Sequence, residues 1–272
     1  MVERPAQNSL FSVIIPTYDE VRNIEVMIAR LQELYPGIKV LVMDDNSKDG
    51  TIEVVTAIAA KDQDVSIVVR DPVDRGLTAA VMDGITKVRT PYYIVMDADF
   101  QHPPETLEDI MLSLTEGADL VIGRRHHKET LRWKRRVSSD AAQCLAHFYL
   151  WVHRQPHPGD IMSGLFGAET KLSQRILGEK GGKFERKGFK VLFDLLKFVP
   201  PGARVEEVQY QFGDRAGGES KLSSTIITSI LRQCGYMGKA MAYLADTLIL
   251  NRSGQMVLLT LIALLAVIVL FL

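Results

Sequence analysis

Residues 92–105 read YYIVMDADFQHPPE. Five apolar or nearly apolar residues end abruptly on Asp97 and Asp99, and Pro103-Pro104 then opens a helix. A short, wholly apolar run bounded in this way predicts a strand buried on both faces. Residues two apart on a strand point to the same side, so Asp97, Asp99 and Gln101 would share a face if the extended geometry persists. Two carboxylates so close repel each other, and a hard divalent cation removes the conflict. Mg²⁺ or Mn²⁺ takes one or two carboxylates and leaves positions for water and phosphate oxygens. DADFQ therefore reads as a platform for a metal and a diphosphate, or as an acidic turn that caps the next helix. His102 reads as a turn residue.

Similar runs surround this one. Phe11–Ile15, Ile38–Met43, Val65–Val69 and Asp119–Ile122 are apolar and β-branched, with helix-like stretches near 21–34, 50–61, 75–88 and 104–116. Strands alternating with helices predict an α/β domain whose parallel sheet is covered on both faces. Ligands of such sheets bind beyond the C-terminal strand ends. Those ends carry PTYDE (16–20), DDNSKDGT (44–51), RDPVDRGL (70–77), DADFQH (97–102) and GRRHH (123–127). Acids gather at the middle of the edge with arginines beside them. A carboxylate at Asp44 or Asp45 could accept bonds from a sugar or base, or simply shape the turn.

The second half is less regular. Trp133–Val152 and Gly188–Val199 have helical spacing, 160–170 looks extended and turn-rich, and Arg204–Phe212 alternates like a strand. Residues 223–250 form a long, largely apolar segment that lies along a bilayer surface or packs on the domain. Met256–Leu272 is apolar except for Thr260 and would span roughly 25 Å, a little short of a ~30 Å hydrocarbon core. Lys239 and Arg252 precede it, which places the large domain on the cytoplasmic side.

The chain has 272 residues, of which 47% are hydrophobic and 24% charged, enough for a sizeable core. A net charge of −1 gives no whole-protein attraction to nucleic acid, although residues 124–136 are strongly basic. Its two cysteines, Cys144 and Cys234, show no disulfide or zinc spacing. The N-terminus lacks the pattern of a secretory signal.

IIPTYDE (14–20), VMDDNSKDGT (42–51), RGLTAAVMDGI (75–85) and VMDADFQHPPE (95–105), in this order, resemble family 2 glycosyltransferases of GT-A fold. IGRR (122–125), WKRRVSS (133–139), SGLFG (163–167), GFKVLFDLL (188–196) and FGDRAGGESKL (212–222) narrow the resemblance to the dolichyl-phosphate mannose synthases and related polyprenyl-phosphate glycosyltransferases. The resemblance covers about residues 10–222. It departs from the family pattern at PTYDE, where PTYNE is commoner, and in a shorter loop before Trp133.

The resemblance implies a catalytic domain over 1–222; the apolar residues beyond it predict an interfacial segment over 223–252 and a transmembrane anchor over 253–272. It implies that Pro16, Tyr18 and Glu20 line a nucleotide pocket and that Asp45 holds the nucleotide. Asp97, Asp99 and Gln101 would hold Mg²⁺ or Mn²⁺ on the diphosphate of a sugar nucleotide. Arg215 and Lys221, with Lys190, would clamp that diphosphate. Arg125, Arg135 and Ser139 would hold the phosphate of a polyprenyl acceptor; Arg135 and Ser139, four apart, share a helix face. The expected reaction is mannosyl transfer from GDP-mannose to dolichyl phosphate at the cytoplasmic membrane face. Glucosyl or other hexosyl transfer from a UDP-sugar is the nearest alternative, ahead of a tethered nucleotide-binding module and a metal-dependent phosphohydrolase.

Overall fold

A computed structural model describes residues 7–126, 133–188, 190–213, 231–234, 238 and 243, with the backbone alone for 133–142. Seven strands form one sheet: β1 (Phe11–Thr17), β2 (Lys39–Asp44), β3 (Val65–Val69), β4 (Tyr92–Val95), β5 (Leu120–His126), β6 (Phe166–Glu169) and β7 (Val205–Gln211). Their spatial order is β3-β2-β1-β4-β6-β5-β7. All pairings are parallel except those of β6, which runs antiparallel to β4 and β5.

β1 shows why the sheet is buried on both sides. Val13 and Ile15 face a layer containing Ile24, Met27, Ile28, Leu107 and Ile110, while Ile14 faces one with Ala80, Ile85 and Phe193. The first layer is closed by α1 (Val21–Leu34) and α4 (Leu107–Thr115), the second by α3 (Leu77–Lys87). In α1, buried Ile24, Met27, Ile28 and Leu31 recur at helical spacing. α2 (Thr51–Ala59), α5 (Trp133–Val152), α6 (Thr170–Lys180) and α7 (Val191–Leu196) complete the fold. α6 was not anticipated: its apolar stripe is thin, with Leu172, Ile176 and Leu177 buried in a largely polar sequence.

One strand-end expectation changes. The GRRHH stretch does not lie wholly beyond β5. β7 pairs along it, Arg125 opposite Tyr210 and His126 opposite Gln211, and so extends the strand. The sheet is mostly parallel, and β6 fills the gap between β4 and β5 from the opposite direction.

Chain order reverses between β1 and β4, which opens a crevice at their C-terminal ends. Three non-glycine residues with positive φ lie at the C-terminal ends of the central strands: Asp19 (57°), Asn46 (61°) and Phe100 (60°). Such backbone is costly for an aromatic residue and collects at functional sites. Asp19 tolerates it, and its Oδ1 accepts the Lys48 N–H at 3.0 Å; a short polar side chain suits this position whether Asp or Asn.

Among the described residues no helix is long and apolar enough to cross a membrane. The expected anchor, 253–272, lies outside the described residues. So do Arg215 and Lys221, and nothing is described of the side chains of Arg135 and Ser139 beyond their place on α5.

Candidate active site

The acidic turn after β4 is not extended. The Gln101 N–H donates to Asp99 Oδ1 at 3.1 Å, and Phe100 is left-handed, so the chain curls at once. Strand alternation therefore does not set the directions of Asp97, Asp99 and Gln101; a side-chain-capped turn does. Asp99 is buried, whereas the Asp97 side chain is 42% exposed.

His102 is more than a turn residue. It is buried, and its Nδ1 accepts the backbone N–H of Asp97 at 3.3 Å. Its proton is thereby assigned to Nε2. Burial pushes its pKa down to about 4, so the ring is neutral. The rings of Tyr210 and Phe212 meet it edge-on, each 5.9 Å away. A buried polar side chain within a polar turn gives no periodic signal, and for that reason the sequence did not reveal it.

Two loops close on this turn. The Gly213 N–H donates to Gln101 O at 2.9 Å, and a Cβ on Gly213 would lie 3.0 Å from Phe100 O. Gly213 thus lies directly against the acidic turn. From the other side, a Cβ on Gly164 would lie 2.9 Å from His102 Cε1 and 3.1 Å from Asp97 Oδ2. Gly164→Ala is expected to displace Asp97 and lower turnover about tenfold, a barrier change near 1.4 kcal/mol, with little change in melting temperature. Steady-state rates beside a thermal melt check this; unchanged turnover would mean that the Asp97 position is not critical.

A basic wall stands beside the acidic turn. Arg125 donates from Nε and Nη2 to Asp160 at 2.7 and 2.8 Å, a bidentate pair, and its guanidinium lies 5.5 Å from the Phe212 ring centroid. Burial alone would raise the Asp160 pKa, but the Arg125 hydrogen bond and charge outweigh it and hold the carboxyl below its ordinary range. Lys190 Nζ donates to Met162 O at 2.7 Å. Burial, then the charge of Arg125, push the Lys190 pKa down to about 8, while Asp97 and Asp160 oppose the shift. Acidic turn and basic wall therefore lie side by side, with the Phe212 ring between His102 and Arg125 and the charge of Asp97 felt at Lys190. Sequence reasoning named Arg125 and Lys190 but not Asp160, which lies in an irregular loop 35 residues from its partner.

The strand ends on the β2 side are cross-braced. Asp44 is fully buried and is structural: it accepts from Thr17 Oγ1 and from the Ser47 N–H and Oγ, each at 2.7 Å. Asp45 accepts from Arg70 Nη1 and, at 2.9 Å, from the Gly76 N–H. Arg70, its side chain 3% exposed, also reaches Asp83 at 3.0 Å and the Asp74 carbonyl at 2.9 Å. Arg186 ties Asp74 to Asp83. Arg70, Asp83 and Arg186 were not singled out from the sequence, although RDPVDRGL held the signal of an arginine among strand-end acids. Tyr18 is exposed, with the Arg75 guanidinium 4.8 Å over its ring. Glu20 Oε2 accepts from Asn23, and Pro16 lies in β1 opposite Met43.

Among the described residues no group of three or more His, Cys, Asp or Glu is arranged to enclose a metal. The donor set at the acidic turn fits a different kind of site. Two carboxylates with an amide oxygen nearby are hard ligands, and an open arrangement suits Mg²⁺ or Mn²⁺ that also binds substrate phosphates.

Known proteins agree with this architecture. Glucosyl-3-phosphoglycerate synthase from Mycobacterium tuberculosis, solved with Mn²⁺, UDP and phosphoglyceric acid, superposes with a TM-score of 0.60 at 24% identity, covering 86% of this chain and 82% of that one. The same enzyme has been solved with Mg²⁺ and UDP. In sequence, the chain is 34% identical over 238 residues to the dolichol-phosphate mannosyltransferase of Saccharomyces cerevisiae, covering 82% of this chain and 85% of that protein. It is 33% identical over 232 residues to the polyprenol monophosphomannose synthase of Mycolicibacterium smegmatis, covering 82% and 84%. The sequence model of glycosyl transferase family 2 matches residues 12–176. The chain is a glycosyltransferase of GT-A-like fold and belongs to glycosyl transferase family 2.

Proposed function

We propose that this enzyme transfers mannose from GDP-mannose to a polyprenyl phosphate of the dolichyl type, with inversion at the anomeric carbon. The supporting observation is the acidic turn lying side by side with Arg125 and Lys190, in a chain whose relatives bear mannosyltransferase names over four-fifths of its length. An acceptor phosphate oxygen forms the new bond to the anomeric carbon as the bond to the leaving diphosphate breaks. A phosphate monoester is already ionised near neutral pH, since its second pKa is about 6, so no strong general base is needed.

Asp97, Asp99 and Gln101 would hold Mg²⁺ or Mn²⁺, which supplies positive charge for the leaving diphosphate. Lys190 adds charge to the same end, with Arg215 and Lys221 from the segment that starts at Gly213. Pro16, Tyr18, Glu20 and the Asp45–Arg70 brace shape the nucleotide end. Arg125, held by Asp160, together with Arg135 and Ser139 on α5, takes the acceptor phosphate. Residues 1–222 form the catalytic domain; 223–252 join it to the membrane surface, with Leu231 and Gln233 buried and Gln233 bonded to Asp194 of α7, and 253–272 anchor the chain with the domain in the cytoplasm. An isoprenoid leaves the bilayer at a cost of about 0.8 kcal/mol per CH₂, so the enzyme must work at the membrane.

The test is a membrane assay with labelled nucleotide sugars and dolichyl phosphate, scoring organic-soluble label with and without EDTA. GDP-mannose should give label that EDTA abolishes and Mg²⁺ or Mn²⁺ restores. Label from a UDP-sugar alone would reassign the donor, and release of free sugar without acceptor would favour a hydrolase. Arg135→Ala is expected to raise the KM for lipid phosphate about tenfold while leaving nucleotide affinity unchanged. Equal loss of both would defeat the proposed division between acceptor and donor sites.

A further inference from the structure

A buried polar cluster behind the crevice has no part in the chemistry described above. α7 is only six residues long. So short a helix is marginal without tertiary support. Lys190 is its N-cap and Lys197 its C-cap; a lysine ammonium has no acceptor with which to cap the first turn, and that of Lys190 donates instead to Met162 O. Gln233, from the segment that leads on towards the apolar C-terminus, touches both ends. Its Nε2 donates to Lys190 O at 3.0 Å and to Asp194 Oδ2 at 2.7 Å. Its backbone carbonyl accepts from Lys197 Nζ at 2.8 Å.

The surroundings are closed to water. Gln233 is 3% exposed and Asp194 fully buried, and Leu231 beside them is also buried. Asp194 also accepts the Glu185 N–H at 3.0 Å and pairs with Lys197, whose ammonium lies over Phe193 and Phe198. In such a network every polar bond carries weight, because no solvent replaces a lost partner.

The geometry points to Gln233 as a positioning residue for Lys190: the side-chain amide clamps the first turn of α7 and so fixes where the Lys190 ammonium stands in the crevice. The C-terminal segment is thereby part of the donor site, although it contributes no group that touches substrate. This rests on the reading of Lys190 as a diphosphate-binding group.

The test is a double-mutant cycle on the full chain in membranes, with Gln233→Ala, Lys190→Ala and the pair, reading affinity for Mn²⁺-GDP and turnover with GDP-mannose. Gln233→Ala should weaken both about tenfold, and should add nothing in the Lys190→Ala background. Gln233→Met, which keeps the volume and lacks the amide, should match Gln233→Ala, and it serves alone should the alanine variant fail to fold. Losses that add fully in the double variant, or full affinity in Gln233→Met, overturn the inference. An unaltered Lys190→Ala overturns instead the reading of Lys190 on which it rests.

Discussion

Asp99→Ala is expected to lower metal-dependent transfer by at least about a thousandfold, a loss near 4 kcal/mol of transition-state stabilisation. Asp99 is the buried carboxylate of the acidic turn, and it has two duties. One oxygen shapes the turn by accepting the Gln101 N–H, and the carboxylate charge would hold the cation on the leaving diphosphate. Alanine removes both. Asp99→Asn separates them, since an amide oxygen can still accept from Gln101 but carries no charge. Comparable loss in Asn and Ala assigns the effect to charge, whereas substantial recovery in Asn assigns it to turn geometry. Rates measured across a Mn²⁺ titration decide between them. Full activity of Asp99→Ala would remove the acidic turn from the donor site.

Arg70→Met is expected to destabilise the domain by about 3 kcal/mol, because it strands the buried Asp45 carboxylate, while Asp74 and Asp83 stay partly exposed and paired with Arg186. The Arg70 guanidinium is almost wholly enclosed, and it meets Asp45, Asp74 and Asp83 from three directions. Methionine fills much of its volume, so the loss is mainly electrostatic. For a domain of this size the melting temperature should fall by roughly 10 °C. Arg70→Lys should rescue little, since one ammonium cannot span three partners held by a planar fork. Adding Asp45→Asn to Arg70→Met should recover part of the loss by removing the stranded charge. A fall of less than about 2 °C in Arg70→Met would show that water reaches this network and screens it. The cost is worth bearing at this position, because the brace fixes Asp45 and the Gly76 backbone at the rim of the proposed nucleotide end.

Much of the fold was legible in order along the chain. The apolar runs that became β1 to β5, and the helical spacing of α1 and α5, are local consequences of burial on two faces or on one stripe. The positions of Asp45, Asp97 and Asp99 just beyond their strands followed from where the apolar runs stop, whereas Arg125 proved to lie within β5. What stayed hidden depends on partners distant in sequence. Asp160 meets Arg125 across 35 residues, Arg186 meets Asp74 across 112, and Gln233 meets Asp194 across 39.

The sequence by itself determined the element order of the first half and the family, because hydrophobic period and the spacing of strand-end residues are written in neighbouring positions. Only the tertiary structure decided that β6 enters antiparallel, that the acidic turn curls around His102, and that Asp160, Arg70 and Gln233 bond to Arg125, Asp45 and Lys190. Buried hydrogen bonds and ion pairs join whichever polar groups the packing brings together, and that choice has no period along the chain.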